Sequence, residues 1–401
     1  MGRLLILCAA LALGAGSTAQ AAIDTDVSID LRIVDSSGLD SYLNGGLGKL
    51  RFDPRHDGLR IGELRFGLRA PVVDDVDLTV EAATWGDHDA NPVDLLEAVL
   101  DWRPLPHGPW KSQLRAGAFY APVSLENRMR GWRSPYMLSS SAINTWVGEE
   151  LRTIGLEYDL TWLGPLQGHD FEVELNAAAF GWNDPAGIVL ALRGWSVHDR
   201  QTTLFGRVGQ PGQGLVDGRT LFYSDIDKRV GFYAGTSLKW RGLIEVRALR
   251  YDNRGDPAIA APAIRDWSWD TRFNSVGVRI TPHAEWTLIW QGMRGTTAAQ
   301  QPLNKWLFDS QFGLVSWHRG AHRLSARGER FSTDHVVTTF GASNSDRGSA
   351  WTAAYTRELS TRASLTLEQL WIRSRLPLRA SLGEPVLAAE RQLQLALRLE
   401  L

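Results

Sequence analysis

The sequence predicts an all-β fold: a transmembrane, antiparallel, up-and-down β-barrel of about sixteen strands, with long extracellular loops and short periplasmic turns. Three observations predict it. A secretory signal opens the chain, segments of about ten residues alternate apolar and polar side chains along its length, and the connectors between them alternate long and short.

The signal comes first in the chain. Arg3 supplies a short positive start, residues 4–13 an apolar run, and Ala19-Gln20-Ala21 an A-x-A cleavage site. Residues 1–21 are expected to leave as a signal peptide and residues 22–401 to form the mature barrel. The apolar run falls short of the roughly 20 residues that a spanning helix needs. Cys8 is the only cysteine and lies within the signal, so the mature chain is expected to hold no disulfide. A formal net charge of -2 gives no general pull toward nucleic acid or anionic surfaces, which removes nucleic acid as a partner. The mean hydropathy of -0.19, with no long apolar run after the signal, argues against helical insertion. The 17 Trp and 39 Gly suit a barrel wall, where aromatics sit at the interfaces and glycine serves turns and tight packing.

The last segment shows the alternation most fully. Leu393, Leu395, Leu397, Leu399 and Leu401 share one face, and Gln392, Gln394, Arg398 and Glu400 the other. At the other end Val27, Ile29, Leu31 and Ile33 alternate with Ser28, Asp30 and Arg32. Between them the same period marks strands at 64–68, 76–82, 96–102, 114–120, 154–160, 171–179, 230–240 and 244–248. Six more are centred on 276–280, 286–290, 306–314, 324–326, 351–355 and 365–367. Long connectors fall at 35–58, 121–150, 181–228, 252–268, 294–305, 332–348 and 375–388, with a modest one at 86–93. Short ones fall between, as at 70–75, 104–110, 241–242, 282–284, 319–321 and 360–361. That rhythm gives an even strand number with both termini in the periplasm. Residues 201–208 would break the parity as a strand, so they are expected inside the long fourth outer loop, 181–228, with a short helix near 189–192. A soluble sandwich also alternates but needs no rhythm of loop lengths, and a propeller would show a blade repeat, which is absent.

A sheet in lipid must close on itself to satisfy its backbone groups. The leucines then face acyl chains and the polar residues face the lumen. The lumen-facing candidates are Arg65, Arg115, Arg247, Arg279, Arg327, Glu81, Glu157 and Glu174, joined by Arg32, Arg69, Arg323, Arg398, Asp30, Asp77, Glu172, Glu245, Asp309 and Glu400. A lining of both signs fits weak ion selectivity, or a structural network of salt bridges. Trp85, Trp102, Trp110, Trp162, Trp240, Trp286, Trp306 and Trp351 lie near strand ends and are expected to form aromatic girdles. On this pattern Leu395→Arg buries a charge in lipid, whereas Gln394→Arg faces the lumen and is expected to cost little.

Signs of catalysis are few. Asp87-His88-Asp89 and His198-Asp199 are loop pairs without further ligands at a recognisable spacing, and neither a metal site nor a cofactor is expected. No G-x-S-x-G, H-E-x-x-H or Walker pattern occurs, and no histidine can be assigned to the serines at 139–141.

The third outer loop, 121–150, carries Arg128, Arg130 and Arg133, then a serine run, then Glu149 and Glu150. With Trp132, Tyr136, Met137, Ile143 and Trp146 it is too apolar to stay in water, and the barrel interior is the nearest surface to pack on. In this architecture, and in the placement of a long third loop, the whole mature chain resembles the sixteen-stranded Gram-negative outer-membrane porins and porin-like proteins. The resemblance implies a loop folded into the lumen to form the constriction, with Arg128, Arg130, Arg133, Glu149 and Glu150 as candidate constriction residues. It implies an aqueous channel for passive diffusion of small hydrophilic solutes or ions in the bacterial outer membrane. The expected partners are outer-membrane lipid and lipopolysaccharide, the barrel-assembly machinery, and further copies of the chain in a homotrimer. Three departures stand out: the loop lacks the family's P-E-F-G motif, the chain ends in Leu401 rather than phenylalanine, and the strands show no arginine ladder, only the loop cluster. An outer-membrane barrel enzyme working at the rim and a plugged barrel acting as a surface adhesin are the alternatives. Sixteen strands favour the channel, because about eight leave room for little more than side chains inside.

Overall fold

The computed structural model describes residues 23–87, 93–213, 218, 220–261, 266–300, 304–337 and 343–401. The expected signal peptide, His88 and Asp89 lie outside these residues. Sixteen strands close into one antiparallel barrel in which each pairs with its neighbours in the chain and the first pairs with the last. They are β1 (Asp24–Ser37), β2 (Gly58–Val73), β3 (Val76–Thr84), β4 (Asp94–Trp102), β5 (Trp110–Phe119), β6 (Thr153–Leu163), β7 (Phe171–Gly181) and β8 (Gly231–Trp240). The wall continues with β9 (Ile244–Asp252), β10 (Asp270–His283), β11 (Trp286–Ala299), β12 (Asn304–Arg319), β13 (His322–Val337), β14 (Asp346–Ser360), β15 (Ala363–Arg375) and β16 (Leu387–Glu400). Closure follows from the matched alternation at the two ends: Ser28 pairs with Glu400, Asp30 with Arg398 and Ile33 with Leu395, so polar meets polar inside and apolar meets apolar outside.

The wall is uneven in height. Strands β3 to β9 have 9 to 11 residues, close to the 9–11 needed to cross a bilayer. Strands β10 to β16 have 13 to 16 and rise above it. The connectors expected at 294–305 and 332–348 therefore shrink to 300–303 and 338–345. There the strands continue with polar residues on both faces: inward Thr297 and Thr333 are buried and outward Thr296 and Asp334 are polar, so no apolar period marks them. Residues 201–208 form no barrel strand, and a short helix does occupy Ile188–Leu192.

Leu31, Ile33, Leu64, Phe66, Leu156, Leu175, Leu238, Leu288 and Leu395 are exposed on the outer face, as lipid contact requires. Trp102, Trp110, Trp162, Trp240 and Trp286 ring the short-turn end, with Trp110 directly across from Trp162. Trp85 and Trp306 depart from the expected girdle. Both are buried inside the barrel, Trp85 beneath the Arg200 guanidinium and Trp306 stacked on His335. Asp309 departs the other way. On β12 the inward positions are Phe308, Ser310 and Phe312, so Asp309 faces out and pairs with Arg294 at 3.3 Å.

The lumen is filled. Loop 1 (38–57), loop 3 (120–152) and the described residues of loop 4 (182–230) fold inward, and their apolar side chains merge with inward wall residues into one core that includes Leu125, Ile143, Trp146, Trp195, Phe273 and Phe308. Gln394 shows the consequence. It accepts a hydrogen bond from Arg32 at 3.0 Å and is sealed from solvent, so Gln394→Arg would press a second guanidinium against Arg32 instead of entering open water.

Candidate functional site

Loop 3 crosses the lumen because inward polar side chains hold its backbone at intervals. Gln291 on β11 donates to the Val123 carbonyl at 3.0 Å and accepts from the Leu125 N–H at 3.2 Å. Glu368 on β15 accepts from the N–H groups of Leu138 and Ser139, and Glu329 on β13 from that of Ala142. Arg327 on β13 ties the loop most tightly: it pairs with Glu126 of the loop and Glu329 of the wall, and donates to the carbonyls of Ser139 and Ser140. The serine run has a local role as well. Ser141 caps helix α1 (Ala142–Glu150) by accepting from the Asn144 N–H, and every residue of that helix is buried.

The loop's three arginines reach further strands around the ring. Arg128 meets Glu245 on β9 at 2.7 Å, Arg130 meets Glu81 on β3 at 2.8 Å and Asp26 on β1 at 2.7 Å, and Arg133 donates to Ser28 on β1 at 3.2 Å. Loop 3 is thus a floor tied to strands on both sides of the barrel. Glu245 also holds Arg247 and Arg279, so three guanidinium groups share one carboxylate there. Beneath the floor, at the short-turn end, lies a vestibule of about 550 Å³ lined by Arg69, Arg103, Arg115, Arg128 and Arg130 with Asp24, Glu97 and Asp101.

Glu149 and Glu150 do not face these arginines across water. Both are buried on α1: Glu149 pairs with Arg193 of loop 4 at 2.8 Å, and Glu150 accepts from the Val189 N–H at 2.7 Å. They fasten loop 4 onto loop 3. The physical reason is position, since α1 turns its last residues up toward the helix α2 (Ile188–Leu192) of loop 4, away from the vestibule.

From the outer loops down to β16 runs a column of alternating charge on the β1 side. Arg200 of loop 4 contacts Asp87, just past the end of β3, at 2.8 Å, and Asp87 contacts Arg51 of loop 1 at 3.2 Å. Asp199 of loop 4 bridges Arg51 at 3.2 Å and Arg32 of β1 at 2.6 Å. Arg32 holds Asp30 at 2.8 Å, and Asp30 holds Arg398 of β16 at 3.2 Å. Arg398 lines a small cavity with Glu63, Arg133 and Asp199. Burial alone would raise the Asp199 carboxyl, but Arg32 and Arg51 hold it well below the usual carboxylate range. Asp87 is likewise raised by burial and lowered further by Arg51 and Arg200.

No protein-family model matches the chain, and no curated protein matches it. Solved structures do. The anion-selective porin from Comamonas acidovorans aligns with a TM-score of 0.51 at 11% identity, over 95% of this chain and 99% of its own. The outer membrane channel DcaP of Acinetobacter baumannii aligns with 0.52 at 12%, over 96% and 100%. OmpT, an outer membrane protein of Vibrio cholerae, in its trimer form, aligns with 0.51 at 9%, over 95% and 100%. The fold is a porin fold.

Within that porin-like barrel the lumen-facing residues read from the sequence fall as follows. Arg65, Glu81, Glu157 and Arg327 are buried against partners; Arg115 pairs with Glu157 and Arg247 and Arg279 with Glu245; Glu174 lies half-buried on the inward face of β7. The arginine column was missed. Its members come from β1, β16 and three outer loops: the alternation marked Arg32, Asp30 and Arg398 as lumen-facing, but nothing in the sequence joined them to Arg51, Asp87, Asp199 and Arg200. Among the described residues, Asp184, Asp225 and Asp227 of loop 4 lie close enough to share a cation, though Asp184 already accepts the N–H groups of Ile226 and Asp227.

Proposed function

We propose that the protein is a narrow outer-membrane channel for small hydrophilic solutes or ions, in which anions are favoured. The observation that supports this is the column Arg200, Arg51, Arg32 and Arg398, threaded by Asp87, Asp199 and Asp30, which ends at a small cavity against Trp132 and Arg133 of loop 3, and Trp132 also lines the arginine-rich vestibule. Guanidinium groups bind oxyanions in a fork geometry. An entering carboxylate or phosphate can replace Asp199 on Arg32 and Arg51 and leave every charge paired. A cation at the same place would leave arginines facing it. Loop 4, which carries Asp199, is the part that must yield. In this reading the long loops face the cell exterior, both chain termini the periplasm, and three copies assemble as in the trimeric structure of similar fold.

The filled lumen favours a second reading, a plugged barrel that presents its outer loops to a partner. Replacing Arg128, Arg130 and Arg133 together by Ala separates the two. As a channel, the protein should show a reversal potential shifted toward cations in a low-salt gradient, while the barrel stays folded. The shift should fade at 1 M salt, where the Debye length is about 3 Å. An unchanged reversal potential would remove these arginines from the path, and a folded protein that never conducts would favour the plugged barrel.

A further inference from the structure

The outer surface of the wall carries a basic cluster that a lumenal path does not use. Near the extracellular ends of β13 to β16, Arg330, Arg347, Arg373, Arg375 and Arg391 all point outward and are exposed. Strand register gathers them. Arg347 lies directly opposite Arg375, Ser349 is flanked by Arg330 on one side and Arg373 on the other, and Arg391 stands opposite Trp371. At about 4.8 Å between strands and 3.4 Å per residue, the five Cα atoms fall within about 20 Å. Like charges directly opposite in a sheet repel. Asp334 answers Arg347 at 2.9 Å, but among the described residues Arg330, Arg373 and Arg375 form no ion pair. Asp35, the outward carboxylate of β1 at this level, bonds none of the five.

The surface under this cluster is shaped. Arg347, Arg373 and Arg375 surround a hollow of about 410 Å³ whose floor is Leu387, Ala388 and Ala389. One rank lower, Trp351 and Trp371 face each other across β14 and β15. Beside Trp351 an apolar groove of about 370 Å³ runs over β10 to β13, where Gly313, Ala326 and Gly328 leave the wall thin between Trp290 and Trp351. From water toward lipid the order is guanidinium groups, then tryptophan, then an apolar groove. That order matches phosphate, headgroup boundary and acyl chain in an acylated lipid.

We infer that this face binds a phosphorylated, multiply acylated lipid of the outer leaflet, the lipid A part of lipopolysaccharide, with phosphate on Arg347, Arg373 and Arg375 and an acyl chain in the groove beside Trp351. The inference rests on the reading that the long loops face outward. A phosphate between Arg347 and Arg375 relieves their repulsion, and Arg330 and Arg391 flank it on either side.

The test uses the full-length protein, stripped of native lipid in detergent, with bisphosphorylated lipid A and its dephosphorylated form as probes. The bisphosphorylated form should bind at least tenfold more tightly. Changing Arg347, Arg373 and Arg375 together to Ser should abolish that preference while the heat-modifiable, folded band remains. Gly313→Phe, whose Cβ meets nothing within 4 Å, should fill the groove and weaken both forms alike, by at least threefold. Should the triple Ser variant fail to fold, the triple Lys variant decides: it keeps the charge, loses the fork geometry, and should lose at least threefold for the bisphosphorylated form only. Equal binding of the two lipid forms, or unchanged binding by the variant that folds, overturns the assignment. So does a change of oligomeric state in lipid-free detergent, because the face would then hold a second copy. Labelling of Asn44→Cys in intact cells by an impermeant reagent reports the orientation separately: if it fails, the outward-loop reading falls while the binding data still decide the site.

Discussion

Arg327→Ala should destabilise the folded barrel by about 3 to 5 kcal/mol, the cost of breaking a buried charge pair by removing one partner. Arg327 is fully buried, as is Glu126, and Glu329 nearly so. Its loss leaves two carboxylates together in a dry site and two loop carbonyls, of Ser139 and Ser140, without their donor. Arg327→Met combined with Glu126→Gln and Glu329→Gln should recover more than half of the loss, because no uncompensated charge remains. Arg128→Ala, at a partly exposed pair with Glu245, should cost no more than about 1 kcal/mol. Urea unfolding followed by gel mobility reads all three. A loss below about 1 kcal/mol for Arg327→Ala would mean that loop 3 is not anchored at β13.

Leu395→Arg should cost about 2 to 4 kcal/mol, because it places a guanidinium at mid-strand on the lipid face. Leu395 sits on β16 between Ile33 of β1 and Leu367 of β15, all three outward and exposed. Leu359→Arg, outward at the short-turn end of β14, should cost at most about 1 kcal/mol, since the penalty falls toward the interface. Refolding into lipid vesicles, with the folded fraction measured against urea, compares them. Equal losses would place the lipid band at another height on the wall.

The wall was legible in the sequence because lipid leaves a strand little choice: one face must be apolar, and Leu393 to Leu401 or Val27 to Ile33 state this residue by residue. The rhythm of connectors fixed the parity in the same way, and the apolar content around Trp132 and Trp146 foretold that loop 3 packs inside. What the sequence hid is what only register or loop packing creates. Trp306 and Asp309 sit three residues apart on β12, and which of them faces the lumen depends on pairing, not on type. Glu149 and Glu150 looked like the partners of Arg128, Arg130 and Arg133, but the turn of α1 carries them to Arg193 and Val189 of loop 4. The arginine column joins Arg32, Arg51, Arg200 and Arg398 from four separate segments, so no spacing in the chain could reveal it.

Single-channel recording in planar bilayers, under a gradient of low salt, tests the central claim most directly: that the charged column is a conducting path. The wild-type protein should give small, discrete current steps with a reversal potential on the anion side. Asp199→Asn, which removes the carboxylate shared by Arg32 and Arg51, should move that potential further toward anions and raise the conductance. A folded protein with a reversal potential on the cation side, or one that passes no current with or without Asp199, would contradict it.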